Sequence, residues 1–231
     1  MTQDLTSKEQ ALENLKKLIT EMAISVREMV ALAIDGLREK DRFALERVRE
    51  IEKEVNAQEV AIDNEAVKFM ALFQPSAGDL RAAMMILRMN SNLERMGDHA
   101  YNIAREAEFL ISHPQIKPLL DIPRMADIVM GMMDDTMTAL RENNPEIARA
   151  VCRKDDEVDA LRDQVIRELI IYMMSDPETI ERAMKLIQVA QNLERLGDLA
   201  TNLGEDIVYM TTGRVIKHHI EEEEREKGKT P

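Results

Sequence analysis

Two copies of one motif carry the side chains with the clearest chemical potential in this chain. Asn-Leu-Glu-Arg-Met-Gly-Asp occupies residues 92–98 and recurs, with Leu for Met, at residues 192–198. On a helix, a Glu and an Asp four residues apart share one face, where like charges repel by roughly 0.2–0.5 kcal/mol. A cation held between the two carboxylates would offset that repulsion. The motif therefore predicts two cation sites, at Glu94 with Asp98 and at Glu194 with Asp198.

A second acidic pair in the C-terminal half has the same spacing. Asp155 and Asp159 lie 21 and 17 residues before a helical turn near Asp176, and Asp198 and Glu194 lie 22 and 18 residues after it. At about 1.5 Å per residue, antiparallel neighbours bring these acids to matching heights. Four carboxylates are therefore predicted to converge between two helices.

The N-terminal half carries a related pair at the corresponding places. Glu52 and Asn56 stand 103 residues before the two aspartates of the later pair, so they should face Asp98 and Glu94. Because an amide carries no charge, we expect this first cluster to hold metal less firmly than the second.

Carboxylates without His or Cys favour hard or borderline cations such as Fe, Mn, Mg or Ca over Zn or Cu. Facing pairs can bridge more than one ion, as in helical di-iron proteins, although the Glu-x-x-His motif of ferritin-like sites is absent. Two simpler explanations remain: a solvated helix face, and neutralisation of the acids by nearby bases. The bases considered for that role are Arg88, Arg95, Arg105, Arg153, Lys154 and Arg195.

Apolar residues repeat with helical periodicity along nearly the whole chain and predict an all-α fold of six long helices. Polar cap residues before or at the helix starts, and a glycine at Gly213, mark helix ends. The predicted helices cover about 7–39, 41–73 and 76–112, then begin at Asp121, Asn144 and Asp176. The last three repeat the first three, which predicts two tandem, pseudo-symmetric three-helix bundles. The predicted divisions are a repeat at 1–113, a linker at 114–123, a repeat at 124–215 and a charged tail at 216–231.

Composition excludes several classes of function. The formal net charge of −13 argues against binding nucleic acid, whose phosphates attract basic surfaces. Cys152 is the only cysteine, so an intramolecular disulfide is excluded and a reducing compartment is indicated. No signal peptide and no apolar run of about 18 residues is present, so we expect a cytoplasmic protein without membrane insertion.

No other group of residues suggests a catalytic site. The Met-rich stretches around Met84 and Met132 fit a core or an interaction groove better than a metal site. His218-His219 lies beside an acidic run in the predicted tail, and Cys152 lacks the surroundings of a nucleophile. We therefore predict that the chain is not an enzyme; the alternative is a carboxylate-bridged di-metal oxidase or hydrolase.

The repeated Asn-Leu-Glu-Arg-x-Gly-Asp-x-Ala-x-Asn, together with Asp155-x-x-Val158-Asp159, closely resembles the PhoU family of phosphate-transport accessory regulators. The resemblance covers about residues 10–215, with both motifs in register. The family pattern usually has an Asp where this chain has Asn56.

Several expectations follow from this resemblance. It implies two three-helix bundles that carry iron or another hard divalent or trivalent ion, in multinuclear clusters, without enzymatic activity. It also implies negative regulation of the phosphate-starvation (Pho regulon) response. The implied partners are the ATPase subunit of the phosphate ABC transporter and a PAS-containing sensor histidine kinase, which would recruit the protein to the inner membrane. A homodimer is a further expectation.

Overall fold

The computed structural model describes the backbone of residues 2–216 and the side chains of residues 7–216. Most of this part of the chain is helical, and it contains no strand. The first bundle contains α1 (Thr2–Glu39), α2 (Arg42–Phe73) and α3 (Ala77–Ile111). The second contains α4 (Asp121–Glu142), α5 (Pro145–Cys152), α6 (Asp155–Ser175) and α7 (Ile180–Thr212), with a short 3₁₀ turn at Pro177–Thr179. The prediction of six long helices in two bundles is confirmed.

Local residues explain where several helices begin and end. The Asp41 side chain accepts hydrogen bonds from the backbone N–H groups of Phe43 and Ala44, and Asn144 caps α5 in the same way. Gly213 ends α7 with φ of 72°, a conformation that suits glycine. Helix α4 begins at Asp121, so the non-helical connection between the bundles covers residues 112–120 rather than 114–123.

The fifth predicted helix is broken at Arg153 and Lys154 into α5 and α6. Two features favour the break. The acids at 155–157 fill the first turn of α6, where negative charge interacts favourably with the helix dipole. Helix α5 also approaches α7 so closely that a Cβ atom added at Gly204 would lie 2.9 Å from the carbonyl oxygen of Ala148. Because of the break, α5 does not have to run in the same direction as α6, and it can pack this closely on α7.

The two bundles join through α3 and α7, which pack antiparallel. The guanidinium of Arg81 donates to the carbonyl oxygen of Met210 near one end. His99 and Asn192 are hydrogen-bonded at 2.8 Å near the middle of the pair. One continuous hydrophobic core runs through both bundles. The two halves are thus related by an approximate dyad that passes near the centre of α3 and α7, where both acidic motifs lie.

Two buried acids at equivalent positions secure this antiparallel pair. Asp206 of α7 is 1% exposed and pairs with Arg88 of α3 at 3.0 Å. Glu106 of α3, one hundred residues earlier, is 5% exposed and pairs with Lys185 of α7 at 2.7 Å. Each acid is therefore neutralised by a base from the other bundle.

The close approach of α5 to α7 leads to a prediction for glycine substitutions. Gly204→Ala should destabilise the protein by about 1–3 kcal/mol, because the new methyl group meets backbone that cannot rotate away. Gly131→Ala in α4 is the matched control: its Cβ would meet nothing within 4 Å, so it should stabilise by about 0.5–1 kcal/mol through helix propensity. Urea unfolding measures both changes, and equal stabilisation by both would contradict the packing described for α5.

Candidate metal centre

The second acidic cluster lies between the first turns of α6 and the middle of α7. The guanidinium of Arg162 reaches across it, with Nη1 2.8 Å from Glu194 Oε1 and 3.1 Å from Asp159 Oδ1. The predicted pairing of Asp159 with Glu194 is therefore seen as two carboxylates that share one arginine. Asp198 has a weaker contact, with its Oδ2 3.4 Å from Arg195 Nη1.

Asp155 shows that negative charge remains in excess in this cluster. Burial raises the pKa of Asp155 to about 6, with further contributions from the charges of Asp198, Asp159 and Glu194. The pKa of Glu194 is also raised, chiefly by burial and by Asp198, although Arg195 and Arg162 oppose the shift. Arg162 thus neutralises one end of the cluster while Asp155 at the other end stays among like charges.

The first cluster lies between α2 and α3 at the equivalent positions, but several of its side chains differ. Asn56 donates to Glu52 Oε1 at 2.7 Å, so the amide satisfies its neighbour on α2. Burial raises the pKa of Glu94, and the charges of Asp98 and Glu59 raise it further. Glu59 was not among the predicted ligands. Its own pKa is raised by burial and then by the charges of Asp63 and Asp98, so it belongs to the same cluster.

The two clusters differ most at one equivalent position. Glu59 precedes Arg162 by 103 residues, the offset that also relates Glu52 to Asp155. An acid in the first bundle therefore stands where the second bundle has a base. In the second cluster, the positive charge of Arg162 offsets part of the negative charge of the four acids. In the first cluster, Glu59 supplies the carboxylate that is missing at Asn56.

Of the bases named as possible neutralising partners of the acids, Arg195 contacts Glu194 and Asp198. Arg162, which was not considered, makes the close contacts, and Arg195 makes longer ones. Three of the considered bases pair elsewhere, namely Arg88 with Asp206, Arg105 with Glu106, and Lys154 with Asp135.

The two motif glycines serve different neighbours. A Cβ atom at Gly97 would lie 3.3 Å from Val55 Cγ1, so this glycine allows close packing of α3 on α2. A Cβ atom at Gly197 would lie 3.1 Å from Asp155 Oδ1, so this glycine makes room for the carboxylate. With the side chains of residues 7–216 as they stand, no group of three or more His, Cys, Asp or Glu meets in a geometry that could hold a metal ion.

The remaining candidates from the sequence do not form a site. Burial raises the pKa of the Cys152 thiol to about 11, with the charge of Glu205 as the next cause, so the thiol is protonated at neutral pH. Met132 lies in the core, whereas Met84 is half exposed. His218 and His219 lie outside the described residues.

These features define an all-α protein of two related bundles, with an acidic cluster in each. None of the described helices is both long and apolar enough to cross a bilayer. The PhoU domain family model matches residues 19–107 and 122–207, one match to each bundle. The chain therefore belongs to the PhoU family, and the sequence-based assignment to that family is confirmed.

Relatives match along most of the chain. It is 38% identical over 212 residues to a "Phosphate-specific transport system accessory protein PhoU homolog" of Aquifex aeolicus, covering 91% of this chain and 96% of the relative. A protein of the same name from Deinococcus radiodurans is 36% identical over 189 residues, covering 82% of this chain and 89% of the relative. These relatives are named as accessory proteins, which gives the enzymatic alternative no support.

Solved structures agree with the fold. The crystal structure of PhoU from Pseudomonas aeruginosa aligns with a TM-score of 0.86 and 31% identity, covering 89% of this chain and 99% of that one. A phosphate transport system regulatory protein PhoU from Streptococcus pneumoniae aligns with a TM-score of 0.83 and 25% identity, covering 91% and 99%.

The pKa of Asp155 leads to a prediction of pH-dependent stability. Because the folded state raises this pKa from 3.8 to about 6, the ionised carboxylate opposes folding, and stability falls as pH rises through about 6. Asp155→Asn should therefore stabilise the protein at about pH 8 by roughly 1 kcal/mol after allowance for solvent screening. The gain should disappear by about pH 4.

The control is Asp156→Asn, which removes a charge from the same first turn of α6 but at an exposed position. Both variants lose a similar interaction with the helix dipole, so their difference reports the cost of holding the Asp155 charge partly buried among other acids. Thermal or urea unfolding with a chelator present measures the effect. Equal stability of the two variants at both pH values would contradict the excess negative charge described for Asp155.

Proposed function

We propose that this protein is a cytoplasmic regulator of phosphate uptake that represses the phosphate-starvation response. The observation that carries the proposal is the match of both bundles to the PhoU family, whose members here are named for the phosphate-specific transport system. The proposed partners are the ATPase subunit of the phosphate ABC transporter and the PAS-containing sensor kinase. Those partners, and not lipid, would recruit the protein to the inner membrane, and a homodimer is part of the same proposal.

The surface of the molecule supports a role in protein contacts. The net charge of −13 favours partners with basic surfaces, because opposite charges speed encounter at low ionic strength. Several large apolar side chains are exposed near the α2–α3 and α6–α7 turns. Neither feature requires a reacting substrate, in keeping with a protein that acts by binding.

We also propose that the acidic clusters bind iron or another hard cation. Such a cation favours carboxylate oxygen ligands, and both clusters contain carboxylates whose pKa values are raised by burial and then by the charges of neighbouring acids. A bound cation would supply positive charge and join the two helices of a hairpin. The residues that would hold it are Glu52, Glu59, Glu94 and Asp98 in the first bundle and Asp155, Asp159, Glu194 and Asp198 in the second. The carboxylates would have to turn toward the ion, because no three of them meet as they stand.

Metal analysis of purified variants tests this proposal. Asp155→Ala combined with Asp198→Ala should abolish binding in the second cluster, and Glu94→Gln combined with Asp98→Asn should abolish it in the first. Arg162→Gln should raise the affinity of the second cluster at least about tenfold, because it removes the competing cation from Glu194 and Asp159. Because an ion that binds only the folded state stabilises it, a chelator should also lower the melting temperature.

Lys68→Gln is the control, because this base pairs with Glu65 on the exposed surface of α2. It should leave the metal content unchanged. A metal content equal to that of an unrelated protein, with iron, manganese and magnesium each supplied, would reject the metal proposal but not the regulatory one.

Deletion of the gene tests the regulatory proposal. We expect phosphate-scavenging genes to be transcribed in the deletion strain even when phosphate is plentiful, and a plasmid copy of the wild-type gene should restore repression. The measurement is transcript abundance at high and low phosphate. Normal repression in the deletion strain, with no second PhoU gene in the genome, would refute this function.

A further inference from the structure

Each bundle carries an exposed apolar surface beside the turn of its long hairpin. The first groove consists of Val67 and Met70 of α2 with Leu80, Met84 and Leu87 of α3. The second groove consists of Ile170 and Met173 of α6 with Ile180, Met184 and Ile187 of α7. In each groove, three of the five side chains are 37–58% exposed, and the other two are partly buried against the core.

The register of the hairpin brings the members of the first groove together. The side-chain amide of Asn90 donates to Asp63 Oδ1 at 2.8 Å, which places these residues opposite each other on α2 and α3. One turn closer to the loop, Val67 is therefore opposite the turn of α3 that holds Met84. The alternate positions on both helices, such as Ala66 and Ala83, are buried in the core.

The two grooves correspond position by position. Residues of α2 precede their counterparts on α6 by 103, and residues of α3 precede theirs on α7 by 100, so Val67 matches Ile170 and Met84 matches Met184. All five positions are apolar in both copies. The core does not explain this, because most of these side chains are half exposed, and a helix face that met only water would carry polar residues.

The charge next to the grooves indicates what would cover them. Toward the centre of the molecule the first groove runs into Glu59, Asp63 and Glu94. The bases near it are already engaged: Arg88 pairs with Asp206, and Lys68 pairs with Glu65. The groove is thus apolar beside the turn and acidic at its inner end.

We propose that the two grooves bind amphipathic helices of partner proteins, each with an apolar stripe and a cluster of Lys or Arg at one end. A helix fits the channel between two antiparallel helices, and methionine side chains adapt to varied apolar partners. The basic end of the bound helix contacts the acids at the inner end of the groove. This inference deepens the proposed regulatory function and rests on it only in assuming that the chain has protein partners.

A second copy of this chain fits the grooves less well. Both grooves lead into acidic clusters, and the chain carries a formal charge of −13, so docking of one copy on another would place acid against acid. The two grooves also differ from each other, because Arg162 stands at the inner end of the second one, between Asp159 and Glu194. The first groove therefore binds a basic helix more tightly than the second.

The probe for the test is a labelled synthetic peptide of about five helical turns, with leucines on one stripe and lysines at one end. Fluorescence anisotropy in a chelating buffer should show two unequal sites, and the affinity should fall at least about tenfold between low and high salt. Met84→Glu should remove the tighter site, Met184→Glu the weaker one, and the double variant both. Because these methionines are half exposed, the variants should melt at the temperature of the wild type.

Phe43→Ser is the matched control, because Phe43 is 82% exposed on the first turn of α2 and belongs to neither groove, so its loss should not change binding. Unchanged binding by the folded double variant would overturn the proposal. Equal binding of a peptide with glutamates in place of the lysines would overturn the proposed basic partner. Self-association that the double variant abolishes would show that a second copy is the occupant. None of these outcomes would change the transcription result expected for the deletion strain, so the groove proposal can fail while the regulatory proposal stands.

Discussion

Two buried acids at the α3–α7 contact constrain the rest of the molecule. A carboxylate in the interior is tolerated only with a partner, and removing one member of such a pair costs about 3–5 kcal/mol. Glu106 and Asp206 each find that partner on the opposite bundle, in Lys185 and Arg88. A shift of α3 along α7 by one turn would separate both pairs at once. The pairs therefore fix the register of the two bundles, and with it the central position of both acidic motifs.

The duplicated framework has kept its geometry while its electrostatics have diverged. Glu59 and Arg162 occupy equivalent places, yet one adds a negative charge to its cluster and the other bridges two carboxylates. Asn56 and Asp159 differ in the same way, since an amide donates to its neighbour where a carboxylate accepts. The two clusters thus differ in charge at equivalent positions, which two identical copies would not.

The sequence predicted those features that depend on local chemistry. Asp41, Asn144 and Gly213 act at helix ends as their residue types indicate. The break at Arg153 was missed because it depends on the approach of α5 to Gly204, a contact between segments distant in sequence. Glu59 lies seven residues after Glu52 and could have been found by following the same helix face two turns further. Arg162 was missed because its reach to Glu194 depends on side-chain conformation, which spacing alone does not determine.

The antiparallel arrangement of α3 and α7 also sets a length. Each hairpin turn lies beside the far end of the other bundle's central helix, and α3 alone, with 35 residues at about 1.5 Å each, spans about 50 Å. The packed pair of α3 and α7 is rigid and therefore holds the two turns apart at its two ends. Proteins bound at both ends would be kept at a fixed separation. Bending this helix pair would require repacking the core that the two helices share, so a movement at one end would be transmitted to the other.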